Sequence, residues 1–169
     1  MNKIFYIPLG LIMSSLFLLC GNNQVESKMA SFKSCVIRIM SPFGCYQEIV
    51  LTNYGSGVFK QGLHDGDIRV QNVVIDSLYR IDSFKIDIEK DIKQINAAIT
   101  SMMSDTVKGS YKYDAYRFQV FINEVPNIDV YGNTVKINDV LKMLLNHLPY
   151  AENYCEFFRL MKEKYPNKK

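Results

Sequence analysis

Residues 35–61 read CVIRIMSPFGCYQEIVLTNYGSGVFKQ, and this stretch decides the fold class. Its first part, Cys35–Met40, is rich in β-branched residues, which suit a pleated, half-buried surface. Ser41-Pro42-Phe43-Gly44 then supplies turn residues. Tyr46–Leu51 resumes the strand pattern, Asn53–Gly57 turns the chain again, and Val58–Gln61 begins a third strand. Apolar runs joined by tight turns predict antiparallel hairpins.

Downstream, His64-Asp65-Gly66-Asp67 has the composition of a turn. Ile68–Ile75 reads as a fourth strand. Tyr79, Ile81, Phe84 and Ile86 mark one more extended piece. The period then changes. Ile88, Ile92, Ile95, Ile99 and Met102 recur at steps of four, three, four and three, one face of a helix, with Asp87 as its expected N-cap. Ser104–Asp114 is polar and turn-rich. Tyr116–Ile122 alternates as a strand, Glu124–Asn127 turns, and Ile128–Tyr131 returns. Asn138 is the expected cap of a helix through Leu148, which Pro149 ends. A last helix is expected over about Ala151–Lys164. The order of these elements predicts an α+β fold: a mainly antiparallel sheet with about three helices packed on one face, the other face left free or covered by a partner.

Upstream of Cys35 the chain is of another kind. Ile4–Cys20 is uncharged and follows Lys3, the layout of an export signal. As a helix it would reach about 25 Å, short of a ~30 Å hydrocarbon core. Residues 21–33 are polar and aperiodic, as a tether is. The expected organisation is therefore 1–20 export signal, 21–33 tether and 34–169 a single domain. At Leu16-Phe17-Leu18-Leu19-Cys20, followed by Gly21-Asn22-Asn23, the chain resembles bacterial lipoproteins. In these a cysteine closing the signal is acylated and becomes the first mature residue. Leu19 stands where that family has a small residue. The resemblance implies lipid attachment at Cys20 and a domain held at a membrane of the cell envelope, in the periplasm or on the cell surface. An uncleaved anchor and cleavage further along are the alternatives, and both also put the domain outside the cytoplasm.

The 169 residues hold 20 basic and 17 acidic side chains, a net charge of +3. That balance carries no electrostatic footprint for nucleic acid. Cys35 and Cys45 are a candidate disulfide in an oxidising compartment if the intervening loop is wide. A tight turn at Ser41–Gly44 would hold them too far apart. His64, Asp65 and Asp67 are too few ligands for a calcium loop, and a plain turn explains them. His147 and Cys155 lack an orienting third group, so no catalytic residues are assigned, and no cofactor or metal. Tyr111, Lys112, Tyr113, Tyr116 and Arg117 interleave aromatics with bases and form the candidate contact surface. The expected function is a non-enzymatic binding module for a protein or a glycan. The alternative is a small envelope hydrolase, with polar groups converging on His64 or His147 in a deep cleft.

Overall fold

A computed structural model of the protein describes residues 32–70, 73–132 and 134–149. In chain order the elements are β1 (Ser34–Met40), β2 (Cys45–Thr52), β3 (Ser56–Asp65), β4 (Val74–Lys85), α1 (Glu89–Met102), β5 (Val107–Lys108), β6 (Arg117–Ile122), β7 (Val125–Tyr131) and α2 (Val135–Leu144). The strands form one seven-stranded sheet in the order β4-β3-β2-β1-β6-β7-β5. All pairs are antiparallel except β5 with β7, which makes the sheet mixed. The fold is therefore sheet-dominated, with two helices among the described residues, and this corrects the expected α+β fold with about three helices. The expected helix over Ala151–Lys164 and the segment 1–31, with Cys20, lie outside the described residues. Among the described residues no helix is long and apolar enough to cross a membrane.

The β1–β2 hairpin follows from its turn chemistry. The Ser41 hydroxyl accepts from the backbone N–H of Phe43 at 3.1 Å and of Cys45 at 3.0 Å. Gly44 adopts φ +92°, a conformation that a side chain would strain. This tight turn sets Met40 opposite Tyr46 and Cys35 opposite Leu51. About 20 Å of strand then separates Cys35 from Cys45, and both are free thiols. The candidate disulfide is thus replaced by two unpaired cysteines. Burial pushes the Cys35 thiol up to about 12, so it is inert packing.

Alternation along the strands gives the sheet two different faces. Cys35, Ile37 and Ile39 of β1 lie beside Leu51 and Ile49 of β2 and Ile122, Val120 and Phe118 of β6. These residues share one core with Ile95, Ile99 and Met102 of α1 and Ile137, Val140, Leu141 and Leu144 of α2. Phe32, in the stretch expected to be tether, is buried in the same core. The intervening positions, Arg38, Glu48, Lys60, Arg117, Gln119 and Asp129, project to the opposite face.

Three local expectations are corrected. Residues 64–67 are not one turn: β3 continues to Asp65, and β4 starts at Val74, not Ile68. Ile68 is buried against Met40 and Tyr46 on the helix-free face, and that contact takes it out of the strand. Asp87 does not cap α1; the N-cap is Ile88 with no side-chain cap, while Asp87 pairs with Lys85. Asn138 lies inside α2, whose cap is Thr134, its hydroxyl accepting from the Ile137 N–H at 3.4 Å.

Candidate functional site

The face of the sheet opposite the helices carries an open groove of about 790 Å³. Its floor is made by β1, β6 and β7, one side by β5, and Arg69 and Val73 of the β3–β4 connection overhang it. A small apolar cluster of Met40, Tyr46 and Ile68 holds that connection down.

Two half-buried ion-pair systems shape the groove. In the first, Glu48 accepts from Arg38 Nε at 2.8 Å, Lys60 Nζ at 2.7 Å and the Tyr46 hydroxyl at 2.7 Å. In the second, Arg117 is only 4% exposed and donates to both oxygens of Asp129, from Nε at 2.7 Å and Nη2 at 2.6 Å. Its Nη1 donates to the carbonyls of Ile68, at 2.7 Å, and of Val70. Gln119 also donates to Asp129, at 3.1 Å, and the Tyr131 hydroxyl donates to the Ile68 carbonyl at 2.9 Å. Arg117 therefore ties the overhanging connection to the sheet.

Desolvation works against the charge on Glu48 and on Asp129. The donors around each more than offset it, and both carboxyls lie below their ordinary range. Burial pushes the Tyr46 hydroxyl up, reinforced by its hydrogen bond to Glu48. Because both carboxylates are lowered in the folded state, their stabilisation is complete above the unfolded carboxyl values of about 4. It drains away as the pH falls through the lower folded values. Urea unfolding midpoints should therefore fall between about pH 5 and pH 2, and Glu48→Gln should flatten that slope. Equal slopes in the two proteins would show that Glu48 contributes none of it.

Arginines cover the aromatic rings near the groove. The guanidinium carbon of Arg38 lies 4.9 Å from the Phe121 ring centre, that of Arg69 5.4 Å from Tyr111, and that of Arg117 5.7 Å from Tyr131. Tyr111 meets Tyr131 edge-on at 5.2 Å between centroids. Four cationic side chains line the groove, Arg38, Arg69, Lys108 and Arg117, against one carboxylate, Asp129.

The structure divides the expected contact surface. Arg117 lies in the groove wall, and Tyr111 lies outside the lining but against Arg69 and Tyr131, which belong to it. Tyr116 packs against the opposite core. Lys112 is exposed and Tyr113 is 84% exposed, and neither lines the groove. Lys108, which opens the same basic and aromatic stretch, also lines the groove; sequence reasoning missed Arg38, Glu48, Lys60, Arg69 and Asp129. The available signal was charge at alternate positions of the strands, but only the register reveals that Arg38 lies opposite Glu48.

His64 and His147 are not brought together on the groove. His64 is buried with Nε2 2.8 Å from the Ser41 carbonyl, and His147 Nε2 lies 3.2 Å from Asp91 Oδ2. Cys155 is outside the described residues. Among the described residues no three His, Cys, Asp or Glu side chains are grouped to hold a metal ion. No family model, no curated protein and no solved structure matches this chain.

Proposed function

We propose that this protein is a non-enzymatic binding module whose groove takes an acidic segment of a partner protein. The observation that carries this is the lining of four cations to one carboxylate; Glu48 and Asp67, outside the lining, pair with Arg38 and Arg69 and leave an excess of one positive charge. An incoming carboxylate takes the guanidinium N–H groups that these two pairs leave. The side chains of Arg38 and Arg69, with 40% and 62% of their surface exposed, are the first contacts. A glycan is disfavoured, because sugars stack on open aromatic faces and arginines already lie over Phe121, Tyr111 and Tyr131.

The module works at the cell envelope, carried there by the segment ending at Cys20 and held by lipid on that cysteine. The support is the charge-free run Ile4–Cys20 and its likeness to lipoprotein signals. Mass spectrometry of the mature N-terminus tests this part. An acylated Cys20 as first residue is expected, and an intact Met1–Cys20 segment would overturn it.

The groove is tested by fluorescence anisotropy with a labelled oligoglutamate peptide. Binding should weaken as salt rises from about 50 to about 300 mM, since screening shortens the reach of exposed charges. Arg69→Glu with Lys108→Glu should weaken it by more than about tenfold, ~1.4 kcal/mol, while Tyr113→Ala should leave it unchanged. Equal binding of oligoglutamate and oligolysine, or indifference to the charge reversal, would sink the reading.

A further inference from the structure

The two ends of the sheet differ. β5 closes one end with two residues, Val107–Lys108, whereas β4 closes the other with twelve, Val74–Lys85. β4 has no proline and stands last in the strand order, with β3 as its neighbour on one side. Val74, Ile75, Leu78 and Ile81 are all exposed on it. Such an edge recruits another strand unless charge or irregularity blocks it.

Two register shifts, between Gln61 and Gly62 and between Leu63 and His64, put the extra residues Tyr79 and Asp76 into the first half of β4. Gly62 permits the first, since a Cβ there would lie 2.1 Å from the Ser77 carbonyl oxygen. From Arg80 to Lys85 the pairing with β3 is regular. In this half Arg80 and Asp82 flank Ile81, and the two charges form an ion pair along one side of the strand. By register that side is the one carrying Gln61 and Phe59, while Ile81 stands beside Lys60 on the other, with 61% of its surface exposed.

We infer that β4 is the interface for a second copy of this chain, paired antiparallel about a two-fold axis through Ile81. The charge pattern selects this occupant and this register. An antiparallel turn about Ile81 maps Arg80 onto Asp82 of the copy and Asp82 onto its Arg80. Four charges then alternate in sign around the axis, with Ile81 against Ile81 on the opposite face. Centring the pair on Arg80 or on Asp82 instead sets two like charges opposite each other, which is unfavourable. The ladder is short, ending where the extra residue Tyr79 breaks the pairing. The two sheets join into one, and both grooves stay open.

The test uses the full chain in mild detergent. Sedimentation should show a monomer–dimer equilibrium. Arg80→Asp or Asp82→Arg alone should raise the dimer dissociation constant by at least about tenfold, and the exchange Arg80→Asp with Asp82→Arg should restore it. Circular dichroism confirms that each variant is folded. Mild oxidation of Ile81→Cys should trap a covalent dimer, because residues on the axis lie about 5 Å apart. Ser83→Cys should not, at about 14 Å. A monomer at every concentration up to the solubility limit would overturn the inference, and this includes the case where another segment of the same chain covers β4. So would a dimer indifferent to the charge reversals, or one trapped equally by both cysteines.

Discussion

Arg117→Met is expected to lower the unfolding free energy by about 3 kcal/mol. Methionine keeps the apolar stem, so the loss is the guanidinium. Without it Asp129 loses its bidentate partner, and the carbonyls of Ile68 and Val70 lose a donor. The figure sits at the low end for a broken buried pair because 32% of the Asp129 side-chain surface stays in water. A second consequence separates this variant from a merely weakened one. The overhanging connection loses both Arg117 bonds and keeps the Tyr131 hydroxyl on the Ile68 carbonyl, so oligoglutamate should bind less tightly at a temperature where the protein is still folded. Urea titration with an unchanged slope, followed by anisotropy, measures both. A loss below about 1 kcal/mol would mean that the pair behaves like a surface salt bridge and does not hold the groove's roof.

Phe59→Ala is expected to cost more, about 4 kcal/mol. Phe59 is fully buried on β3, opposite Ile49 of β2 and Asp82 of β4. It belongs to the core shared with both helices, so the void cannot collapse without moving the sheet. For a domain of this size that loss corresponds to a melting temperature lower by roughly 12 °C. Phe59 faces away from the groove, so affinity for the acidic peptide in the folded variant should be unchanged. A matched fall in stability and affinity would mean that core and groove do not vary independently. Comparing the two variants therefore tells a structural residue from one that holds the site.

The hairpin and the first helix were legible because their causes are local. Ser41 and Gly44 make a turn from their own chemistry, and Ile92, Ile95, Ile99 and Met102 mark a helix by spacing alone. The β3–β4 connection was not legible. Ile68 and Val70 sit in a strand-like sequence, but Arg117 and Tyr131 bind the Ile68 carbonyl from far along the chain. The caps failed for a similar reason: Asp87 has Lys85 beside it, and Thr134 reaches the free amide first. Val107–Lys108 became a strand only because β7 offers it an edge. Of the site, Lys108, Tyr111 and Arg117 could be named from composition. Arg38, Glu48 and Asp129 required knowing which strands are neighbours, since β1 pairs with β6 across the whole meander and first helix.

The placement of β1 also has a mechanical side. The chain enters the described fold at Phe32 and passes directly into the strand that is hydrogen-bonded on both flanks, to β2 and to β6. A pull on the N-terminal side of β1 against the rest of the domain, as the proposed anchoring and binding would exert, would therefore load two ladders lengthwise at the same moment. Bonds strained in shear must yield together, whereas those of an outer strand can be peeled one by one. A domain entered through its innermost strand resists being pulled open from that end.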